Sequence, residues 1–424
     1  SSIKTTGFTA VTGTGYFCNT TGGAFTVTLP LSPAAGAVVG VSDYAKTWDT
    51  DNLTLGRNGS NIGGGADDAI IATEGLAVTL VYVDVTKGWI VTDSGLQSDA
   101  PGPIFVAATG GCITTCGNYK THTFLSPNTF VVTCAGNTAG SETVDYLIVA
   151  GGGSGGTADG GGGGGGAGGF RFSNSTCMPA PLTSPLAACA GAPVTATPYA
   201  ITVGAGAASI TGNQPPTPGE KGNTGSDSSA LSYTATGGGG GGGSGLNCTG
   251  LGRPGGSGGG GGGQAYVGPG GAGNTPPTSP AQGQNGGATI SDASPSAGHA
   301  GSGGGGAGAI GTSNAPADCA GPGGIGSFVV QAGFAGCNGT TGPVGSTRYF
   351  AGGGGANADT APVPAQGTGG AGGGGAGAVP SSSATAGGTN TGGGGGGVDS
   401  NPAGQTSGAG GSGIVMIRYK YQNL

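Results

Sequence analysis

The chain has 424 residues and a formal net charge of −7, and 109 of its residues are glycine. Charged residues make up only 7% and aromatics 6%, with two histidines in all, where an ordinary soluble domain carries roughly 25% charged residues. That scarcity leaves little for acid–base catalysis. The absence of a basic stripe argues against nucleic acid, and without a long apolar run no membrane insertion is expected.

Residues 1–98 read as a small β-sandwich module. Phe25-Thr26-Val27-Thr28-Leu29 and Leu53-Thr54-Leu55 alternate apolar and polar residues, and Val38-Val39-Gly40-Val41 follows a Pro/Gly turn. Ala77 to Val83 is the strongest strand signal, and Lys87-Gly88 turns into Trp89-Ile90-Val91. Short strands at this spacing are the pattern of a sandwich or barrel.

Asp99-Ala100-Pro101-Gly102-Pro103 marks a linker. It opens a β-connector over 99–150, with strands at Lys120 to Leu125, Thr129 to Thr133 and Val144 to Val149. From Gly151 the chain changes character: 88 of the glycines lie beyond residue 150, with blocks at 160–166, 237–243, 258–263, 303–306, 352–355, 372–375 and 392–397. Segments rich in Pro, Ser, Thr and Asn separate them. An ordinary strand returns at 413–421, so apolar strands bracket the glycine region and are placed to pair with each other.

The glycines show no strict every-third-residue period, which excludes collagen. Repeated blocks inside bracketing strands also argue against a flexible linker. What remains is the polyproline-II-type helix made of glycine, with three residues per turn and no internal hydrogen bonds. Its backbone groups point outward in three directions and must be met by neighbours. Ordering a residue costs about 1–2 kcal/mol, whereas a net hydrogen bond returns about 0.5–1.5 kcal/mol. Such helices are therefore stable only as a lattice. Residues 151–424 are expected to form a polyglycine-II bundle closed by strand 413–421, giving a mainly β and irregular protein with almost no α-helix.

Chemical motifs are sparse. G-x-G-x-x-G and G-x-S-x-G recur, but a quarter glycine makes both expected by chance. Gly-Lys and H-E-x-x-H are absent. Asp49-Thr50-Asp51-Asn52 and Asp67-Asp68 read as turn residues rather than calcium ligands. No metal, cofactor or catalytic residue is expected. The nine cysteines contain no C-x-x-C pair and read as structural; proximity in sequence suggests disulfides Cys177–Cys189 and Cys319–Cys337.

Aromatic and basic residues between the glycine blocks are the candidate receptor-binding set: Tyr266, His299, Phe334, Arg348, Tyr349 and Phe350. Their plain structural reading is that each covers an edge of the bundle. The functional reading is a loop surface that stacks on sugars or grips a protein.

Six segments in this order carry a resemblance: "VDYLIVAGGGSGG" (144–156), "GGGGGGAGGF" (161–170), "ITVGAG" (201–206), "GAGNTPPTSPAQGQNGG" (271–287), "GGAGGGGAGA" (369–378) and "GGSGIVMIRYKY" (410–421). The set resembles the glycine-rich domain of tail-fibre-like proteins of marine phages, notably those of cyanobacteria, and residues 23–64 resemble a β-module of those fibres. The alternation of glycine blocks with polar loops is also similar to phage adhesins built as a polyglycine-II sandwich. The resemblance implies a non-enzymatic virion-surface adhesin that attaches to a host glycan or outer-membrane protein. It also implies contacts with other virion proteins and a homo-oligomer, a trimer being favoured. The alternatives are a purely structural fibre, filament or capsid-decoration subunit and, less favoured, a glycan depolymerase.

Overall fold

The computed structural model describes residues 2–96, 103–175, 183–213, 219–243, 250–263, 269–290, 299–314, 319–358, 366–401 and 403–423. The chain divides into two compact units, Ser1–Gly102 and Pro103–Leu424.

The first unit contains β1 (Phe8–Thr9), β2 (Thr14–Cys18), β3 (Phe25–Thr28), β4 (Val38–Asp43), β5 (Leu53–Gly56), β6 (Ala69–Ile71), β7 (Leu76–Asp84) and β8 (Gly88–Leu96). They form two four-stranded sheets, β1-β3-β5-β6 and β2-β4-β7-β8. The chain crosses to the other sheet after each of its first four strands. Strands β1, β3 and β5 consequently run parallel, as do β2 and β4, and antiparallel pairing begins only at β6 and β7. Alternation along a strand gives its buried face but not the direction of its neighbour. Both sheets contribute to one core around Trp48, Trp89, Leu53 and Leu80. The Asp43 carboxylate accepts from the backbone N–H groups of Thr47, Trp48 and Gly75, at 3.3, 3.2 and 2.9 Å.

The second unit opens with β9 (Val106–Thr109), β10 (Cys112–Cys116), β11 (Tyr119–Phe124), β12 (Asn128–Ala135) and β13 (Thr143–Val149). The closing strand Ile414–Lys420 lies between β11 and β13, antiparallel to both. The two brackets of the glycine region therefore pair directly, Val149 with Ile414 and Asp145 with Arg418. Their near-continuous apolar runs mark strands buried on both faces. On one face Tyr146, Ile148, Val415 and Ile417 pack with Phe130 of β12. On the other, Leu147, Val149, Ile414 and Met416 pack with Phe170, Phe172 and Phe350.

His122 of β11 is fully buried. Its Nδ1 lies 2.6 Å from the Gly110 carbonyl and its Nε2 3.1 Å from the Tyr419 hydroxyl. A ring nitrogen facing a carbonyl must donate, so in the neutral ring Nε2 is left to accept from Tyr419. Burial pushes the imidazole below its ordinary pKa, helped by Lys120 and opposed by the Gly110 bond.

The glycine blocks lie outside the named strands and bond laterally with a three-residue period. In block 163–169, Gly163, Gly166 and Gly169 donate to Gly242, Gly239 and Thr236. Gly164 and Ala167 donate to Ser302 and Gly305, while Gly165 and Gly168 donate to Gly395 and Gly392. Its carbonyls accept from three further segments, through Gly153, Gly260 and Gly354 among others. Each turn of three residues thus faces three directions, which is the bonding of polyglycine-II-type helices. Glycine is required because the neighbours meet backbone to backbone: a Cβ on Gly165 would strike the Gly153 carbonyl, and one on Gly240 the Gly222 carbonyl. Among the described residues there is no α-helix, only a five-residue π-turn at Gln331–Ala335.

Candidate functional site

The lattice has two ends, distinguished by hydrogen-bond register. At the sheet end, Ala150 donates to Gly169 and Gly413 to Gly204, where the glycine segments run into strands. At the opposite end, Thr157 donates to Glu220, Gly263 to Gly161 and Gly301 to Asn357, at 3.0, 2.7 and 3.0 Å. Thr157–Ala158 pairs there with Val398–Asp399.

Following the chain through this register, Gly243, Gly263, Ile290, Asn314 and Ala358 all leave the lattice at the end away from the sheet. Gly250, His299, Cys319 and Gln366 re-enter it there, as the pairings Gly262–Gly250, Ala300–Ala358 and Asn357–Gln366 fix. Segments 244–249, 264–268, 291–298, 315–318 and 359–365, which these residues flank, lie outside the described residues.

Two buried amides brace that end. Asn314 accepts from the Ile290 N–H at 2.7 Å and donates to the Ile290 and Ala300 carbonyls at 3.2 and 2.9 Å. Asn357 is fully buried and accepts from the Gly162 N–H at 2.6 Å. Each sits where a short side chain substitutes for lateral backbone bonding. Sequence reading passed over both; the signal was an amide inside otherwise small, apolar segments, "GTSNAP" and "GANAD".

The sequence-derived candidates separate between the two ends. His299 lies at the loop-bearing end, half-buried, with its side chain against Gly160. Gly160 has φ +112 and Gly161 φ +139, a turn that favours glycine. Tyr266 falls in 264–268, outside the described residues. The other four belong to the sheet end, where Arg348 is partly exposed. Phe334, Tyr349 and Phe350 are buried. The Phe334 ring meets Phe172 edge-on at 5.5 Å and carries the Arg418 guanidinium 4.7 Å above it. Tyr349 and Phe350 lie in the strand Thr347–Phe350, paired with Ser327–Val330. Arg348 donates to the carbonyls of Asn338, Cys337 and Gly339, at 2.9, 3.0 and 2.7 Å, and so pins a turn. An aromatic between glycine blocks looks the same in sequence whichever end its segment occupies.

The expected disulfide Cys319–Cys337 is absent; both thiols are free. Cys319 precedes the segment 321–326, which runs the length of the lattice before the chain reaches Cys337 at the sheet end. Six residues at about 3.1 Å each separate the two ends by about 19 Å, far beyond disulfide reach. Cys189 is an exposed free thiol, and Cys177 lies outside the described residues. The described residues contain no cluster of three or more metal-ligating side chains, and no helix among them is long and apolar enough to cross a membrane.

Compared with known families, residues 126–420 match a glycine-rich domain. No curated protein matches the chain.

Proposed function

The chain belongs to the glycine-rich domain family, and from that premise we propose that it is a tail-fibre adhesin that attaches a virion to a host-cell surface. One observation carries the reading: the chain leaves the lattice repeatedly at the end away from the sheet, after Gly243, Gly263, Ile290, Asn314 and Ala358. The lattice spends its backbone groups on lateral bonds, from Gly153 and Gly166 to Gly395 and Gly408. A rigid scaffold from which the chain repeatedly departs at one end suits surface recognition. The partner on this reading is a host glycan or outer-membrane protein. Other virion proteins and two further copies of the chain complete the fibre on the virion surface.

Exchange of segments 244–249, 291–298 and 359–365 for those of a relative with another host tests the proposal. Binding of the purified chain to host cells is expected to follow the donor of the segments. Binding that ignores the exchange would overturn it. One observation favours the structural-fibre alternative: β10 lies at the edge of its sheet with all five residues exposed, a surface on which another chain could pair. A fibre subunit of that kind would assemble into filaments regardless of the exchanged segments.

A further inference from the structure

Strand β10, Cys-Ile-Thr-Thr-Cys, forms the edge of its sheet, and all five of its residues are exposed. Edge strands are usually blunted by a charge, a proline or a bulge. This one carries none of them. Its side chains are small or β-branched and uncharged, and its register with β11 runs unbroken from Cys112–Thr123 to Cys116–Tyr119.

The neighbouring pairing fixes where its backbone groups point. The Tyr421 N–H donates to the Asn118 carbonyl at 2.9 Å. Even-numbered residues of β11 therefore aim their backbone groups at the closing strand, and odd-numbered ones aim theirs at β10. Tyr119, Thr121 and Thr123 are thus the hydrogen-bonded partners of Cys116, Thr114 and Cys112. The alternate residues, Ile113 and Thr115, turn their N–H and C=O groups to the open edge. Among the described residues no hydrogen bond takes up these groups.

Cys112 and Cys116 are free thiols on one face of the strand, placed symmetrically about Thr114. Four residues at about 3.4 Å each hold them about 14 Å apart, beyond the reach of a disulfide, about 7 Å. They cannot join each other.

We infer that β10 pairs with β10 of a second copy, antiparallel about a two-fold axis at Thr114, and that disulfides between Cys112 of each copy and Cys116 of the other lock the pair. In this register Ile113 exchanges both backbone hydrogen bonds with Thr115 of the second copy, and Cys112 faces the second copy's Cys116 as a non-hydrogen-bonded pair. Such pairs hold their Cα atoms about 4.5 Å apart, within the disulfide range of about 4.4–6.8 Å. A two-fold axis elsewhere along the strand brings at most one cysteine against its own counterpart and leaves part of the edge unpaired. The oxidant is a small-molecule disulfide such as glutathione disulfide. A Cys112 thiolate attacks one of its sulfurs and displaces a thiolate; the Cys116 thiolate of the second copy then attacks the Cys112 sulfur and displaces the other. Two protein thiols are oxidised, one small disulfide is reduced, and the displaced thiolates take up the protons. The cross-link persists in oxidising surroundings. An isologous contact closes on two copies, so it is separate from whatever joins the three chains of the proposed fibre.

The test oxidises the full chain with glutathione disulfide, resolves it on non-reducing gels and maps the cross-linked peptides. The unaltered chain should give a covalent dimer joined from Cys112 to Cys116. Cys112→Ser and Cys116→Ser each remove one half of every cross-link, so either variant alone should stay monomeric on the gel. Mixed in equal amounts, they should regain the dimer through Cys116 of the first and Cys112 of the second. Thr115→Pro deletes an outward N–H at an edge, where proline is accepted, and should lower the dimer yield about tenfold. A cross-link between like cysteines, one from Cys116 to Cys337 within a chain, or no dimer from the mixture overturns the inference. Exchange of segments 244–249, 291–298 and 359–365 should leave the cross-link intact, which separates its failure from that of the attachment reading.

Discussion

Asp145 and Arg418 face each other across β13 and the closing strand, 273 positions apart in the chain and joined by a 2.8 Å contact. The carboxylate also accepts from the Ser175 N–H at 2.6 Å, and the guanidinium donates to Asn174 at 3.1 Å. Tyr119 and Phe334 carry the guanidinium on their rings at 4.8 and 4.7 Å. Breaking a buried pair strands the remaining charge, at about 3–5 kcal/mol. Asp145→Ala and Arg418→Met should each cost that much in denaturant melts. The double variant should cost less than the sum, and strict additivity would show that the two do not act as a pair.

Lattice glycines and open glycines should respond in opposite ways to one methyl group. Gly240→Ala places a Cβ on the Gly222 carbonyl and should destabilise the second unit by about 3 kcal/mol or more. Gly345 in the same unit has no described atom within 4 Å of its missing Cβ and no left-handed φ, so Gly345→Ala should be nearly silent. Equal melting temperatures for the two variants would contradict the lateral backbone bonding.

The pH dependence follows from His122, whose native pKa lies below the ordinary 6.5. Above 6.5 the ring is neutral whether the chain is folded or not, and its contribution to stability is complete. As pH falls below 6.5 the unfolded chain takes the proton first, so stability drops until the native ring also titrates. Equilibrium melts across this range should show a decline of up to one proton in slope, removed by His122→Phe.

Arg348 is a structural clamp at the sheet end. Arg348→Lys loses the planar fork that reaches three carbonyls and should cost about 1–2 kcal/mol in thermal stability. If the protein is the adhesin proposed above, host-cell binding per folded molecule should not change. A selective loss of attachment would restore Arg348 to the recognition surface.

Thiol reactivity separates Cys18 from the others. Burial, with Asp43 nearby, pushes its thiol up to about 12, so little thiolate exists near neutral pH. Alkylation of the native chain followed by peptide mapping should label Cys112, Cys116, Cys189 and Cys337, all exposed. Cys18 should react only after unfolding.

Much of this architecture can be read from the sequence because glycine restricts what the backbone can do. The blocks announce lateral bonding, and the apolar runs Val144–Val149 and Ile414–Met416 announce strands buried on both faces. The assignment of loops to ends cannot be read in the same way. It depends on how many times the chain traverses the lattice before each segment, a parity that local composition does not record. Phe334 and Phe350 were therefore candidates for a surface they do not reach. Asn314 and Asn357, which brace the loop-bearing end, look like ordinary polar residues until the register is known.

The closing strand Ile414–Lys420 sits in the middle of its sheet although it is made after every glycine segment. During synthesis β11 and β13 emerge early, with a gap between them that is filled only by a strand beginning 265 positions after Val149. Until then the inner edges of both strands and the apolar faces around them stay exposed. The second unit is therefore committed to completing its fold only once this strand has left the ribosome, with slow, non-local pairing and a long interval of vulnerability to aggregation. Loss of a few residues from this strand would remove the keystone of the sheet and leave the lattice without its base.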